Sequence, residues 1–119
     1  MDNVELLYDI KHEKLNKKLS WYYYKDNVVF LTGEQFKEFN YIIEAEYNTF
    51  DSTNLIIILS KNKINDKCTY IYKDSYGRLK YKPVAFKNIF KKISNGKNFN
   101  VTLRIDRATN DYVAYELIL

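Results

Sequence analysis

The sequence predicts an α+β domain, a mostly antiparallel sheet of about six strands with two or three helices packed on one face. Two observations predict it. Short β-branched or aromatic runs recur along the chain, several of them separated by residues that favour tight turns. Two further segments carry apolar residues at spacings of three and four, the signature of a helix with one buried stripe. Strands linked as hairpins and interrupted by such helices make an antiparallel sheet with helices on one side.

Residues 2–19 are ambiguous. Val4, Leu6, Tyr8 and Ile10 alternate like a strand, whereas Asp2 followed by Glu5 resembles a helix capping box, and a helix is the expectation. Trp21 to Tyr24 and Val28 to Leu31 read as two short strands around the turn-forming Lys25-Asp26-Asn27. Thr32 with Gln35 forms a second capping pattern. Phe36, Phe39, Ile43 and Tyr47 then predict a helix running to about Tyr47. Leu55 to Leu59 is an uninterrupted β-branched run that suits a central strand.

Cys68 to Lys73 and Arg78 to Lys82 predict a hairpin turning at Asp74-Ser75-Tyr76-Gly77. Strand alternation then places Tyr70, Tyr72, Leu79 and Tyr81 on one face, and Arg78, Lys80 and Lys82 on the other. Pro83 and Gly96 bracket a helix with Phe86, Ile89, Phe90 and Ile93 inward and Lys87, Lys91 and Lys92 outward. The C-terminal hairpin pairs Phe99, Val101, Leu103 and Ile105 with Val113, Tyr115, Leu117 and Leu119, placing Thr102 opposite Glu116.

A chain of 119 residues, 46% hydrophobic and 29% charged, fits one domain spanning residues 1–119. No apolar run approaches the roughly 20 residues of a membrane-crossing helix. The acidic start lacks the basic head and apolar middle of a cleavable signal, so the expected location is the cytoplasm. Cys68 is the only cysteine and His12 the only histidine. A disulfide within the chain and a zinc site of Cys and His ligands are thereby excluded. Three scattered glycines make no phosphate-cradling loop, so no cofactor is expected.

Charge is unevenly distributed along the sequence. From Asp26 to Asp51 six acids face Lys37 alone, whereas between Tyr70 and Phe99 Asp74 is the only acid among eight basic residues. Seven Tyr and Phe residues are threaded through that basic stretch. Cations beside flat rings suit a polyanion with exposed bases, making nucleic acid the first partner to consider. The residues expected to contact it are Arg78, Lys80, Lys82, Lys87, Lys91 and Lys92. The opposing reading is a solvated basic exterior, because a strand would separate the rings from the cations. The scarcity of arginine (Arg78, Arg104 and Arg107 only) also resembles the product of an AT-rich coding sequence from a low-GC source.

Trp21, Tyr22, Tyr23 and Tyr24 form the second candidate surface. Four consecutive rings place two on each side of a strand, and exposed Trp and Tyr make good anchors for a protein partner. Arg104, Arg107, Tyr112 and Tyr115 have the chemistry of a metal-independent ribonuclease, although their spacing is only that of a hairpin. The resulting expectation is a small non-catalytic binding protein contacting nucleic acid. The alternative is a stoichiometric inhibitor, encoded by a phage or mobile element, of a host protein that handles nucleic acid. The second alternative is the ribonuclease.

Overall fold

The computed structural model describes residues 20–119 and contains a nine-stranded antiparallel sheet curled into a nearly closed barrel. The strands are β1 (Ser20–Tyr23), β2 (Val28–Leu31), β3 (Tyr41–Asn48), β4 (Thr53–Ser60), β5 (Thr69–Tyr70), β6 (Tyr72–Lys73), β7 (Leu79–Tyr81), β8 (Phe99–Ala108) and β9 (Tyr112–Ile118). Among the described residues there is one α-helix, α1 (Lys87–Ser94), and one 3-10 turn at Glu34–Phe36. This overturns the expected α+β arrangement of about six strands under two or three helices. The expected helix at 2–19 lies outside the described residues.

The strand order is β5-β3-β4-β9-β8-β1-β2-β7-β6. Its two edge strands are neighbours in sequence, separated by Ile71 alone. The segment 69–73 therefore pairs with β3 through its first half and with β7 through its second. The Ile71 N–H donates to the Asn40 carbonyl at 2.9 Å, where the segment crosses the seam. Counted as one strand, it completes a ring of eight in which every pair of neighbours is antiparallel, a pattern that only an even number allows.

β8 is long enough to serve two neighbours. Phe99–Val101 pair with β1, and the remainder pairs with β9 across an irregularity between Ile105 and Arg107. That register sets Arg104 opposite Glu116 and Thr102 opposite Ile118, not Thr102 opposite Glu116 as expected. Ile105 and Leu119, expected inward, are exposed.

The largest departure is the segment 32–47. Phe36 and Phe39 are buried as predicted, but one 3-10 turn suffices to place them. From Tyr41 the chain is a strand paired with β4 through eight consecutive residue positions. The isoleucine run of β4 needs a partner along its whole length, and that ladder overrides the local helix preference of Glu44, Ala45 and Glu46. Tyr47, placed on the buried stripe of the expected helix, is 58% exposed.

Alternate residues fill the barrel: Tyr22, Val29, Ile42, Ile57, Leu59, Tyr81, Val101, Val113, Tyr115 and Leu117 are all buried. Helix α1 ends as predicted, at Asn95 in the left-handed conformation before Gly96, but it begins at Lys87 and not in the turn of Pro83, and Ile93, expected inward, is exposed. Its Phe90 is fully buried, stacked on Tyr22 at 5.1 Å and lying 5.9 Å from Phe99. Phe86 is buried with it, so these rings tie the helix to the barrel core.

The entry to α1 is held by a residue far away in sequence. Glu44 of β3 accepts hydrogen bonds from the Val84 and Ala85 N–H groups at 2.9 Å each, and from Phe86 N–H at 3.4 Å. The helix has no side-chain cap of its own and no acid in its first turn, so Glu44 does both jobs from across the fold. Burial pushes the Glu44 carboxyl up, and the three N–H donors reverse only part of that effect. The Tyr81 hydroxyl is buried nearby without a hydrogen bond of ordinary geometry, although it lies close enough to feel the Glu44 charge. Burial first, and that charge second, push Tyr81 well above the usual phenol range.

Two predictions follow from this packing. Phe90→Ala should lower unfolding stability by about 3–5 kcal/mol in urea titrations, the usual cost of emptying a buried aromatic site. Glu44→Ala should cost about 1 kcal/mol, the ordinary value of a lost cap. Because the folded Glu44 carboxyl titrates high, the unfolded chain ionises first as pH rises. The stability linked to this titration is therefore fully present at low pH and is lost as pH climbs through the ordinary glutamate range to the folded value, superimposed on the capping hydrogen bonds. Melting curves of wild type and Glu44→Gln across that window should diverge with this sign.

Candidate binding face on the outer barrel wall

The outer surface of β1, β2, β7 and β6 carries a row of stacked side chains. Trp21 and Phe30 are directly paired across β1 and β2, with ring centroids 4.4 Å apart and planes 16° apart. Phe30 is next covered by Arg78, whose guanidinium carbon is 4.8 Å from the ring centre, and by the Lys80 ammonium at 5.4 Å. Arg78 also lies 5.1 Å from Tyr76, and Lys80 lies 5.4 Å from Tyr72. Tyr23 adds an edge-on contact to Trp21 at 5.9 Å. Rings and cations thus alternate along one wall.

This corrects the expected separation of rings from cations. Tyr72 and Lys80 are register partners in the β6–β7 hairpin and so share a face, while Leu79 and Tyr81 turn inward. It also divides the predicted aromatic run. Tyr22 points into the barrel and is fully buried, its hydroxyl donating to the Asn27 side-chain carbonyl at 2.8 Å. Trp21 and Tyr23 are partly exposed on the outer wall, and Tyr24 stands 36% exposed at the turn.

Asp74 organises the cations. Its Oδ1 accepts from the Tyr76 and Arg78 N–H groups at 2.9 Å each, which shapes the turn. Its Oδ2 takes Arg78 Nε at 2.8 Å, with Lys80 Nζ at 4.0 Å. Sheltering alone would raise this carboxyl, but the Arg78 and Tyr76 hydrogen bonds and the Arg78 charge outweigh it, and the net direction is down. On Tyr72, burial and then the negative charges of Asp26 and Asp74 push the phenol up.

Lys82 is exposed just beyond β7. Lys87, Lys91 and Lys92 are exposed on α1, a different element, where Lys91 and Lys92 also stabilise the helix C-terminus. The six predicted cations thus fall into two groups, Arg78 and Lys80 on the stacked wall and three lysines on the helix, with Lys82 between them in sequence. Phe30 was not recognised as part of this surface, and Tyr76 and Asp74 were read only as members of the basic-aromatic stretch and its turn. The expected three-residue link would set Trp21 opposite Leu31; the observed link of four residues, 24–27, sets it opposite Phe30 instead.

A groove of about 460 Å³ runs beside the stack. Trp21, Phe30, Arg78 and Leu79 line it together with Thr32, Gly33, Glu34 and Lys37. The residues considered for ribonuclease chemistry are not gathered in this way. Arg104 lies on the outer wall with its Nη2 donating to Glu116 at 2.7 Å, whereas Tyr115 is buried against Phe36. Among the described residues no cluster of His, Cys, Asp and Glu is placed to hold a metal ion, and no helix is long and apolar enough to cross a membrane.

Asp74→Asn retains an acceptor for the turn and removes the charge from Oδ2. A carboxyl depressed in the fold adds stability that is present above the ordinary aspartate range and lost as pH falls through the folded value. The melting-temperature gap between wild type and Asp74→Asn should therefore narrow on acidification through that range. A gap that stays constant would remove the ion pair as a source of stability.

No protein-family model, curated protein or solved structure matches this chain, so the functional reading rests on the geometry of this face.

Proposed function

We propose that the protein is a non-catalytic binding module of the cytoplasm whose outer β1–β2–β7–β6 wall contacts single-stranded nucleic acid. The observation that carries this is the Trp21–Phe30–Arg78–Tyr76 stack, in which the buried Phe30 ring supports Trp21 and Arg78 on the same face as Tyr76. Tyr76 is 83% exposed and the Arg78 side chain 52% exposed, so both are open to a partner. Stacking on rings tolerates any base, and the neighbouring cations neutralise phosphates. Lys82 extends the track, and the helical lysines Lys87, Lys91 and Lys92 lie beyond it in sequence.

One observation favours a protein partner instead. Arg78 and Lys80 share Asp74, which lowers the net positive charge of the wall. A half-neutralised aromatic surface also suits the anchor residues of a protein interface, as a stoichiometric inhibitor would need.

Fluorescence anisotropy with labelled DNA and RNA single strands at two salt concentrations separates the readings. Phosphate contacts predict affinity falling with salt, at a log–log slope of about −0.7 per contact. Charge reversal at Arg78 and Lys82 should weaken binding by more than reversal at Lys87 and Lys91. Absence of binding to every strand at low salt would overturn the nucleic-acid reading in favour of the protein partner.

A further inference from the structure

The groove beside the stack has features that the wall alone does not require. Its volume of about 460 Å³ falls within the range of small-molecule sites. Its lining is apolar at Trp21, Phe30 and Leu79 and polar at Thr32, Glu34 and Lys37. Gly33 and Gly77 line it without side chains.

Charge is uneven among the groups at the groove. Glu34 and Lys37, both lining it, pair at 2.8 Å from Lys37 Nζ to Glu34 Oε1 and leave no net charge. Arg78 also lines it and, with Lys80, shares the single carboxylate of Asp74, so that trio carries one positive charge in excess. Asp74 engages Arg78 through Nε, and no other described residue bonds the terminal guanidinium nitrogens. An arginine clamped at Nε, with its guanidinium carbon 4.8 Å from the Phe30 ring centre and 5.1 Å from that of Tyr76, presents its remaining N–H groups in a restricted fork, the geometry that matches phosphate oxygens.

We propose that this groove seats one nucleotide, its phosphate on Arg78 and its base along the Trp21 edge of the stack. The shared chemistry is a flat base joined to a phosphate, supplied by a free nucleotide or by one residue of a strand. Taking a strand as the source rests on the function proposed above. The seat would give that strand a fixed register on an otherwise sequence-tolerant wall.

Trp21 is the only tryptophan, so its fluorescence reports this groove directly. The test titrates wild type, Arg78→Gln and Arg78→Lys with AMP, CMP and the matching nucleosides, and follows oligonucleotide binding separately by anisotropy. Melting curves first establish that each variant is folded. The expected result is saturable quenching by the nucleotides, with nucleosides weaker by about tenfold or more. Arg78→Gln should erase that preference. Arg78→Lys, which keeps the charge but not the fork, should retain part of it and carries the test if Arg78→Gln does not fold.

Equal quenching by nucleosides and nucleotides would overturn the phosphate seat. Salt-sensitive oligonucleotide binding with no response to mononucleotides would overturn the groove and leave the wall as the contact surface. Nucleotide quenching without oligonucleotide binding would support the groove as a seat for free nucleotide and overturn the strand as its source.

Discussion

One five-residue segment joins the two edges of the sheet. Residues 69–73 pair with β3 on one side and β7 on the other, with the Ile71 N–H bonded to Asn40 at the crossing. An open sheet of this length would leave two edges of unpaired backbone groups available for wrong pairing. Closure satisfies much of that backbone and gives the sheet an inside and an outside. Every later distinction follows from it, because alternate residues of each strand become either core or surface. Tyr22 and Tyr81 are core for this reason, while their neighbours Trp21 and Lys80 face outward.

The barrel is thinly built at that seam and heavily built at the helix. β5 and β6 contribute two residues each to pairing, whereas β3 and β4 pair through eight positions. Glu44 lies on one of these long strands and holds the entry to α1, and α1 in turn inserts Phe90 among Tyr22 and Phe99. A half-buried carboxylate is costly unless donors surround it, and three backbone N–H groups supply them here. Sheet and helix are thereby coupled through one side chain.

On the outer wall, order has been imposed before any partner arrives. Arg78 would ordinarily lose much side-chain freedom on binding. Here Asp74, Phe30 and Tyr76 already restrict it. The same Asp74 reduces the positive charge of the wall, so the face trades long-range attraction for a positioned guanidinium. For the strand proposed above, that balance would add one positioned phosphate contact to otherwise sequence-tolerant stacking.

Local signals in the sequence were sufficient for several elements. The existence of the β1–β2 pair, the Asp74–Gly77 turn, helix α1 with its end before Gly96, and the C-terminal hairpin were legible from turn chemistry and alternation, but the registers of the two hairpins and the start of α1 were not. Each of these depends on residues close together in the chain. The segment 32–47 was not legible, because its helix-forming residues pair with the isoleucines of β4, a partner that local propensity cannot weigh. Nor was the candidate face, since which ring meets which cation depends on strand register. Tyr72 could be placed beside Lys80 only once β6 and β7 were paired.

The sequence by itself thus determined the turns, one helix, the absence of a Cys/His zinc site and the gathering of basic residues with rings. Tertiary structure alone decided barrel closure, the inward turn of Tyr22, the remote cap from Glu44 and the stack that joins Trp21 to Arg78. The physical reason is that hydrogen-bond ladders and burial act between residues far apart in the chain. Spacing along the chain records only what neighbours can do.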